Sequence, residues 1–256
     1  MRAACLLLAL LVPLAANAQA PAAAPAPQDR VLFLADHGRL DRGQPDWNEA
    51  GVVLSRHWST RQVAELGLVH TRRFGLEDTR LDLGWSTPVN PQLTASVQAS
   101  ISPSHRVLPR HALGGQLQYE FAPGWLAQAG ARHVRYEAND AEVNVLRLAL
   151  EKYFGPFSVL AAWSPARALG QGTRTVELRG HYYYGQDSSL GLILARGDEA
   201  TALGPGQVAL ADVRSVALLG RQELGPNRWL LWGVNRTRQG SFYTRTGATL
   251  GLQLAF

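Results

Sequence analysis

The stretch "ATLGLQLAF", residues 248–256, decides the reading of the fold. Ala248, Leu250, Leu252, Leu254 and Phe256 occupy one side of a strict alternation, and Gly247, Thr249, Gly251 and Gln253 occupy the other. A period of two with one apolar side is the signature of an amphipathic strand. Soluble domains usually fray into a polar tail. A strand that stays amphipathic to a final aromatic residue is expected where it must close against another strand, as the last strand of a barrel does.

The same period recurs upstream. In "QLTASVQASIS", residues 92–102, Leu93, Ala95, Val97, Ala99 and Ile101 alternate with Thr94, Ser96, Gln98 and Ser100. In "LGGQLQYEF", residues 113–121, Leu113, Leu117, Tyr119 and Phe121 alternate with Gly114, Gln116, Gln118 and Glu120. Thirteen such segments stand at 47–58, 61–72, 76–86, 92–102, 112–121, 125–136, 142–154, 157–165, 172–184, 188–196, 207–222, 228–238 and 243–256. Each is close to the ~10 residues that a tilted strand needs to cross a bilayer. The registers of 47–58, 61–72 and 207–222 are ambiguous, because small or apolar residues occupy both faces.

Connections read as alternately short and long. The short ones are "ST" at 59–60, "TPVN" near 88, "APG" at 122–124, "GP" at 155–156, "GQD" at 185–187 and "GPN" at 225–227. Their Gly, Pro and Asn are turn residues. The long ones include "SPSHRVLPR", "PARALGQG" and "RGDEATALGPGQ". One rim of tight turns and one rim of loops is the layout of an outer-membrane barrel. Segment 47–58 then runs inward, so an earlier strand must have carried the chain out, and "RVLFLAD" at 30–36 supplies it. The fold class is therefore all-β, a transmembrane antiparallel up-and-down barrel of about fourteen strands, with 12 or 16 as alternatives.

The beginning of the chain fits export. "MRAACLLLALLVPLAANAQA" carries Arg2, an apolar run and a closing "ANA", which predicts a signal peptide over residues 1–18. Residues 19–29 are a Pro/Ala-rich linker and 30–256 the barrel. Cys5, the one cysteine, lies in the signal segment, so no disulfide, thiol nucleophile or thiolate metal site is expected in the mature protein. The net charge is +5, with Lys152 the one lysine among 25 basic residues. The arginines are dispersed, and an exported protein is not expected to meet nucleic acid.

Several stretches resemble the YaiO family of outer-membrane barrels: "DWNE" at 46–49, "RRFGLEDT" at 72–79, "PRHALGGQLQY" at 109–119, "PGW" at 123–125, "GARHVRY" at 130–136, "KYFGPF" at 152–157 and "HYYYGQD" at 181–187. The resemblance covers most of 30–200. It implies a single barrel in the bacterial outer membrane and no settled activity. Related barrels occur near exopolysaccharide synthesis and export systems, sometimes behind a helical repeat that this chain lacks. A periplasmic export partner would then be separate.

Parity places Arg80, Asp82, Gln98, Gln116, Gln118, Glu120, Arg132, Arg147, Glu151, Glu177, Arg179, His181, Asp212, Arg214, Arg245 and Gln253 in the lumen. An arginine facing lipid at mid-bilayer would cost roughly 2–4 kcal/mol. Trp58, Trp85, Phe121, Trp125, Tyr153, Phe154, Trp163, Tyr184, Trp229 and Phe256 are expected on aromatic girdles. Trp47, Phe74, Tyr136, Phe242 and Tyr243 lie near long loops and would serve an external girdle with Trp163.

No metal-ligand spacing and no phosphate loop is found, so neither metal nor cofactor is expected. Ser104 and His105 are neighbours in a loop, which does not favour a catalytic dyad, and no enzyme is expected. The expected function is a passive conduit or export-associated barrel for polar, saccharide-type solutes. The alternative is a closed structural or binding barrel that engages envelope glycans or lipopolysaccharide through external loops. Loop arginines such as Arg72, Arg73, Arg106, Arg110, Arg167 and Arg238 could meet lipopolysaccharide phosphates. Expected partners are outer-membrane lipid, lipopolysaccharide and the outer-membrane assembly machinery.

Overall fold

A computed structural model of the chain describes residues 28–137, 140–204 and 207–256. The predicted signal peptide and all but the end of the predicted linker lie outside them. Fourteen strands follow one another: β1 (Gln28–Leu40), β2 (Trp47–His57), β3 (Val63–Arg73), β4 (Leu76–Pro88), β5 (Leu93–Ile101), β6 (His111–Ala122) and β7 (Trp125–Arg135). The second half is β8 (Glu142–Phe154), β9 (Phe157–Ala168), β10 (Gln171–Tyr184), β11 (Ser188–Gly204), β12 (Gln207–Gly225), β13 (Arg228–Gln239) and β14 (Tyr243–Ala255). Each strand pairs antiparallel with its neighbours in sequence, and β1 pairs with β14 to close the barrel. Closure satisfies every sheet edge, which a lipid-immersed wall requires because no water is present to bond a free strand.

β1 begins at Gln28, two residues inside the predicted linker, and runs to Leu40 rather than stopping at Asp36. Closure accounts for the extra length. Asp29 N–H donates to the Phe256 carbonyl (3.2 Å) and Phe256 N–H returns to the Asp29 carbonyl (2.9 Å). Phe256 is therefore tied into the seam.

The alternation sorts the wall into two faces. Leu68, Leu113, Leu146, Val176 and Leu250 are each more than half exposed on the outside. So large an apolar surface is a liability in water and the normal state of a wall in lipid. Glycines, polar residues and buried apolar residues such as Leu126, Leu160 and Ile193 line the inside.

The rims differ from the expected short–long rule. "PARALGQG" is not a loop: β9 and β10 extend through it and meet at Leu169–Gly170. "RGDEATALGPGQ" likewise forms the long arms of β11 and β12, with 205–206 outside the described residues. Only "SPSHRVLPR", residues 102–110, is irregular as expected. Backbone pairing outlasts the bilayer here, because polar residues can still complete strand hydrogen bonds above it.

Candidate functional site: the lumen, its mouth and the outer rim

The inner wall carries a lattice of ion pairs. Arg147 and Arg179 both donate to Glu177 Oε1, at 3.0 Å each. Gln116 donates to Gln128 (3.4 Å), which donates to Glu151 (3.3 Å). Arg80 pairs with Asp82 at 2.8 Å, and Arg73 with Glu49 at 3.1 Å. Arg245 pairs with Asp36, which also accepts a hydrogen bond from Thr249 (2.6 Å). Asp36 and Glu49 add to the expected inward set, and Arg73, expected in a loop, ends β3 facing the lumen.

Between these pairs, on β3, β4, β6 and β7, the wall is low. Gly67, Gly84, Gly114 and Gly130 project no side chain from β3, β4, β6 and β7. Gln98 stands between Gly84 and Gly114 in register and is exposed although it faces inward. Gln118 and Arg132 face the same space, while Glu120 accepts the Gly124 N–H of a tight turn (3.1 Å).

The periplasmic end is aromatic inside as well as outside. Tyr153 and Tyr183 stack at 6.2 Å and His181 stacks on Tyr183 at 5.9 Å. Ser158 is hydrogen-bonded to Tyr183 (3.3 Å). Trp229 is 6% exposed, with the guanidinium groups of Arg30 and Arg221 over its ring at 5.2 and 4.8 Å. Arg221 also donates to Gln253 (2.7 Å) and Asp187 (2.9 Å). Tyr153 and Trp229 are therefore lumen residues, not girdle residues. Each sits one position out of phase with its outward neighbours, Phe154 and Leu230. Trp58, Trp85, Phe121, Trp125, Phe154, Tyr184 and Phe256 lie on the outer side near this rim, where Trp58 and Trp85 pack edge to face at 5.4 Å. Trp163 is also outside, but near the middle of β9, between Leu148 and Val176.

The external mouth is narrowed by inward-folded pieces. Asp78, 1% exposed on the inner side of β4, accepts N–H bonds from Arg106 (3.0 Å), Val107 (2.6 Å) and Leu108 (2.8 Å). These three bonds hold the 102–110 loop inside the barrel and bury Leu108. Trp47, Tyr243 and Leu40 form an apolar cluster with Phe74 and Phe242 against it. Ala112, Val134, Val143, Ala168 and Ala200 form a second, joined by Tyr136, Leu169 and Val208. Phe74 and Leu169 hold positive φ (53° and 51°) before Gly75 and Gly170 (76° and 77°). Both are type I′ hairpin turns, a geometry that costs a bulky residue of order 1 kcal/mol or more. In each case the strained residue packs on one of the two clusters. In the loop between β1 and β2, the Thr244 N–H bonded to Asp41 holds that carboxyl below the usual carboxylate range.

Apart from Trp163, the aromatics expected on an external girdle thus cluster inward and narrow the mouth. The outer face changes to polar residues at that level instead. One half of the ring mixes His37, Asn48, His70, His133 and Asn144 with the dispersed Arg39, Arg72 and Arg135, with His37–Asn48 and His133–Asn144 bonds of 2.9 Å each. The other half shows Arg174, Arg196, Arg214 and Arg236. Asp212 and Arg214 belong here and not in the lumen. They share a face with Leu210, Val216 and Leu218, all exposed, and Arg196 and Arg214 both pair with Asp212 (3.1 and 3.0 Å). The inward assignment failed because β12 outruns the hydrocarbon, so an outward arginine there meets headgroups and water.

Ser104 and His105 do not converge. Ser104 bonds Asp78, and His105 Nδ1 lies 2.9 Å from the Ser102 carbonyl. Among the described residues no three His, Cys, Asp or Glu side chains gather as a metal site would need.

A closed wall with an apolar outside, aromatic residues at one rim and an interior crossed by ion pairs defines an outer-membrane β-barrel of the channel type. The profile described as "YaiO membrane beta barrel domain" matches residues 28–201. The chain belongs to the YaiO family. Among solved structures it is similar to the COG4313 outer membrane channel from Pseudomonas putida F1, at 12% identity and a TM-score of 0.58, covering 91% of this chain and 96% of that one. It is also similar to a structure described as a bacterial polysaccharide outer membrane secretin (7% identity, TM-score 0.56, covering 90% and 98%). A third is the CymD monoaromatic hydrocarbon channel (9% identity, TM-score 0.55, covering 90% and 88%). At these identities the likeness is one of fold. No curated protein matches the chain.

Proposed function

We propose that the protein is a passive conduit for polar solutes of the saccharide type, entered past a constriction at the external mouth. The observation that carries this reading is the inner wall itself. It sets an ion-paired lattice on β8 and β10 against a glycine-lined side on which Gln98 remains open to water. Fixed charges and amides lining a bore select solutes by hydrogen bonding and field. Stacked Tyr153, Tyr183 and His181 offer flat faces for sugar C–H groups, with Ser158 beside them for hydroxyls. Structural neighbours described as a polysaccharide secretin and as a hydrocarbon channel share the fold, so the fold alone does not choose the cargo. The charged lining argues against hydrocarbon. An export role would add a periplasmic partner at the rim of short turns. The chemistry is transport and recognition, with no bond-making step.

The test is single-channel recording of the refolded barrel in a planar bilayer, with linear oligosaccharides added at millimolar concentration. Stable current steps that the sugars block are expected. Silence from a barrel shown to be folded would contradict the proposal.

The constriction makes its own prediction. Asp78→Ala removes the acceptor of three backbone N–H groups, each worth about 1–3 kcal/mol if left buried and unpaired. The 102–110 loop is expected to leave the lumen rather than bear that cost. Single-channel conductance should rise severalfold with little change in the unfolding midpoint. An unchanged conductance would show that the loop does not set the narrow point.

A further inference from the structure

The outer wall carries a feature that conduction does not use. On β11, β12 and β13, Arg196, Arg214 and Arg238 stand in direct register on neighbouring strands, all facing outward. The Arg196 and Arg214 side chains are 64% and 61% exposed. Like charges placed opposite one another across strands are destabilising. Asp212 bridges the first two, and Arg238 Nε donates to the Gly240 carbonyl (3.3 Å). Arg174 and Arg236 flank the row on the same face, and Asp198 lies opposite Asp212. Five arginines against two aspartates leave an excess of positive charge at the level of the external headgroups.

Directly below lies a groove of ≈ 850 Å³ on the outer face of β8 to β12. Its walls are Leu148, Leu150, Trp163, Val176, Leu178 and Leu194, and Arg196 and Arg214 close its external end. Ala161 is the floor, paired in register with Leu150 on one side and Leu178 on the other. Its methyl group is what leaves the depression between two leucines. A cationic head over an apolar slot is complementary to a molecule with an anionic head and a hydrocarbon tail.

We propose that this flank is a binding site for a phosphorylated glycolipid of the external leaflet, lipid A in chemical class. One phosphate bridges Arg196, Arg214 and Arg238, and one acyl chain lies along Trp163 and Ala161. Planar guanidinium groups bind phosphate through paired N–H donors, and a row of three can surround one phosphate. The opposite flank offers no such row: its outward Arg39, Arg72 and Arg135 stand on the non-adjacent strands β1, β3 and β7, with Arg72 paired to Glu77 and Arg135 to Asp140 and Glu142.

The full-length protein, purified in detergent and shown to be folded by its heat-modifiable gel mobility, would be titrated with three lipids and followed by native mass spectrometry. The lipids are bis-phosphorylated lipid A, the same lipid A with its phosphates removed, and phosphatidylglycerol. One-to-one binding of the phosphorylated lipid A is expected, at least tenfold tighter than either of the others. The pair R196Q/R214Q should weaken it tenfold or more. Ala161→Phe, which fills the slot and touches no charge, should weaken it separately and leave single-channel conductance unchanged. Equal binding by phosphatidylglycerol, equal binding by the phosphate-free lipid, or affinity unchanged in both variants would overturn the proposal. Conductance is read independently, so failure of the lipid site and failure of the conduit reading are distinguishable.

Discussion

Glu177→Ala is expected to destabilise the barrel by about 3–5 kcal/mol, the cost of breaking a buried pair by removing one partner. Glu177 Oε1 accepts from Arg147 and Arg179 at once, and the Arg179 side chain is only 5% exposed. Without the carboxylate, one guanidinium is left buried against another. Urea unfolding of the barrel in lipid vesicles would measure the loss. Replacing Glu177 and Arg179 together by leucine should recover much of it, because two charges and their desolvation are removed together. A loss below about 1 kcal/mol for the single change would mean that water in the lumen already solvates Arg179.

Leu178→Arg, one residue along the same strand, is expected to cost about 2–4 kcal/mol for a different reason. Leu178 faces out, half exposed, at mid-wall between Ala161 and Leu194. An arginine there must enter hydrocarbon or thin the bilayer locally. The same unfolding measurement in vesicles of longer-chain lipid should show a larger penalty, since the headgroups move further from the charge. Insensitivity to chain length would contradict the lipid-facing assignment. Two adjacent residues thus fail by opposite physics, one by losing a charge and one by gaining it.

Much of this was legible because period two is a local property. A run such as Leu113, Leu117, Tyr119 and Phe121 declares its face without reference to any other strand. Depth and mouth structure are not local, and the misplacements follow from that. The inward expectation for Asp212 and Arg214 rests on the premise that charge avoids lipid. In β12 apolar side chains occupy both faces, Leu219 as well as Leu218, and the strand continues beyond the bilayer, where the premise lapses. Closeness to a turn suggests a girdle for Trp229 and Tyr153, although phase puts them opposite Leu230 and Phe154. Trp47 and Tyr243 are near a rim as expected, yet they turn inward to cluster. No spacing rule could have revealed that, since the partners come from β1, β2 and β14. Asp78 was hidden for the same reason. Its three acceptor contacts are to a loop about thirty residues on, and a lone aspartate in an "EDT" run carries no mark of such a role.

The proposed conduit requires one face of the wall to border a continuous aqueous bore and the other to border lipid. Because the one cysteine, Cys5, lies in the predicted signal segment, single-cysteine probes can be placed in the mature barrel without a competing thiol. The most direct measurement is the labelling rate of Gln98→Cys and of Val97→Cys by a charged, membrane-impermeant thiol reagent in proteoliposomes. Gln98→Cys is predicted to react readily and to be slowed by added oligosaccharide, while Val97→Cys stays protected. Protection of both positions, or reaction at Val97→Cys alone, would contradict the account.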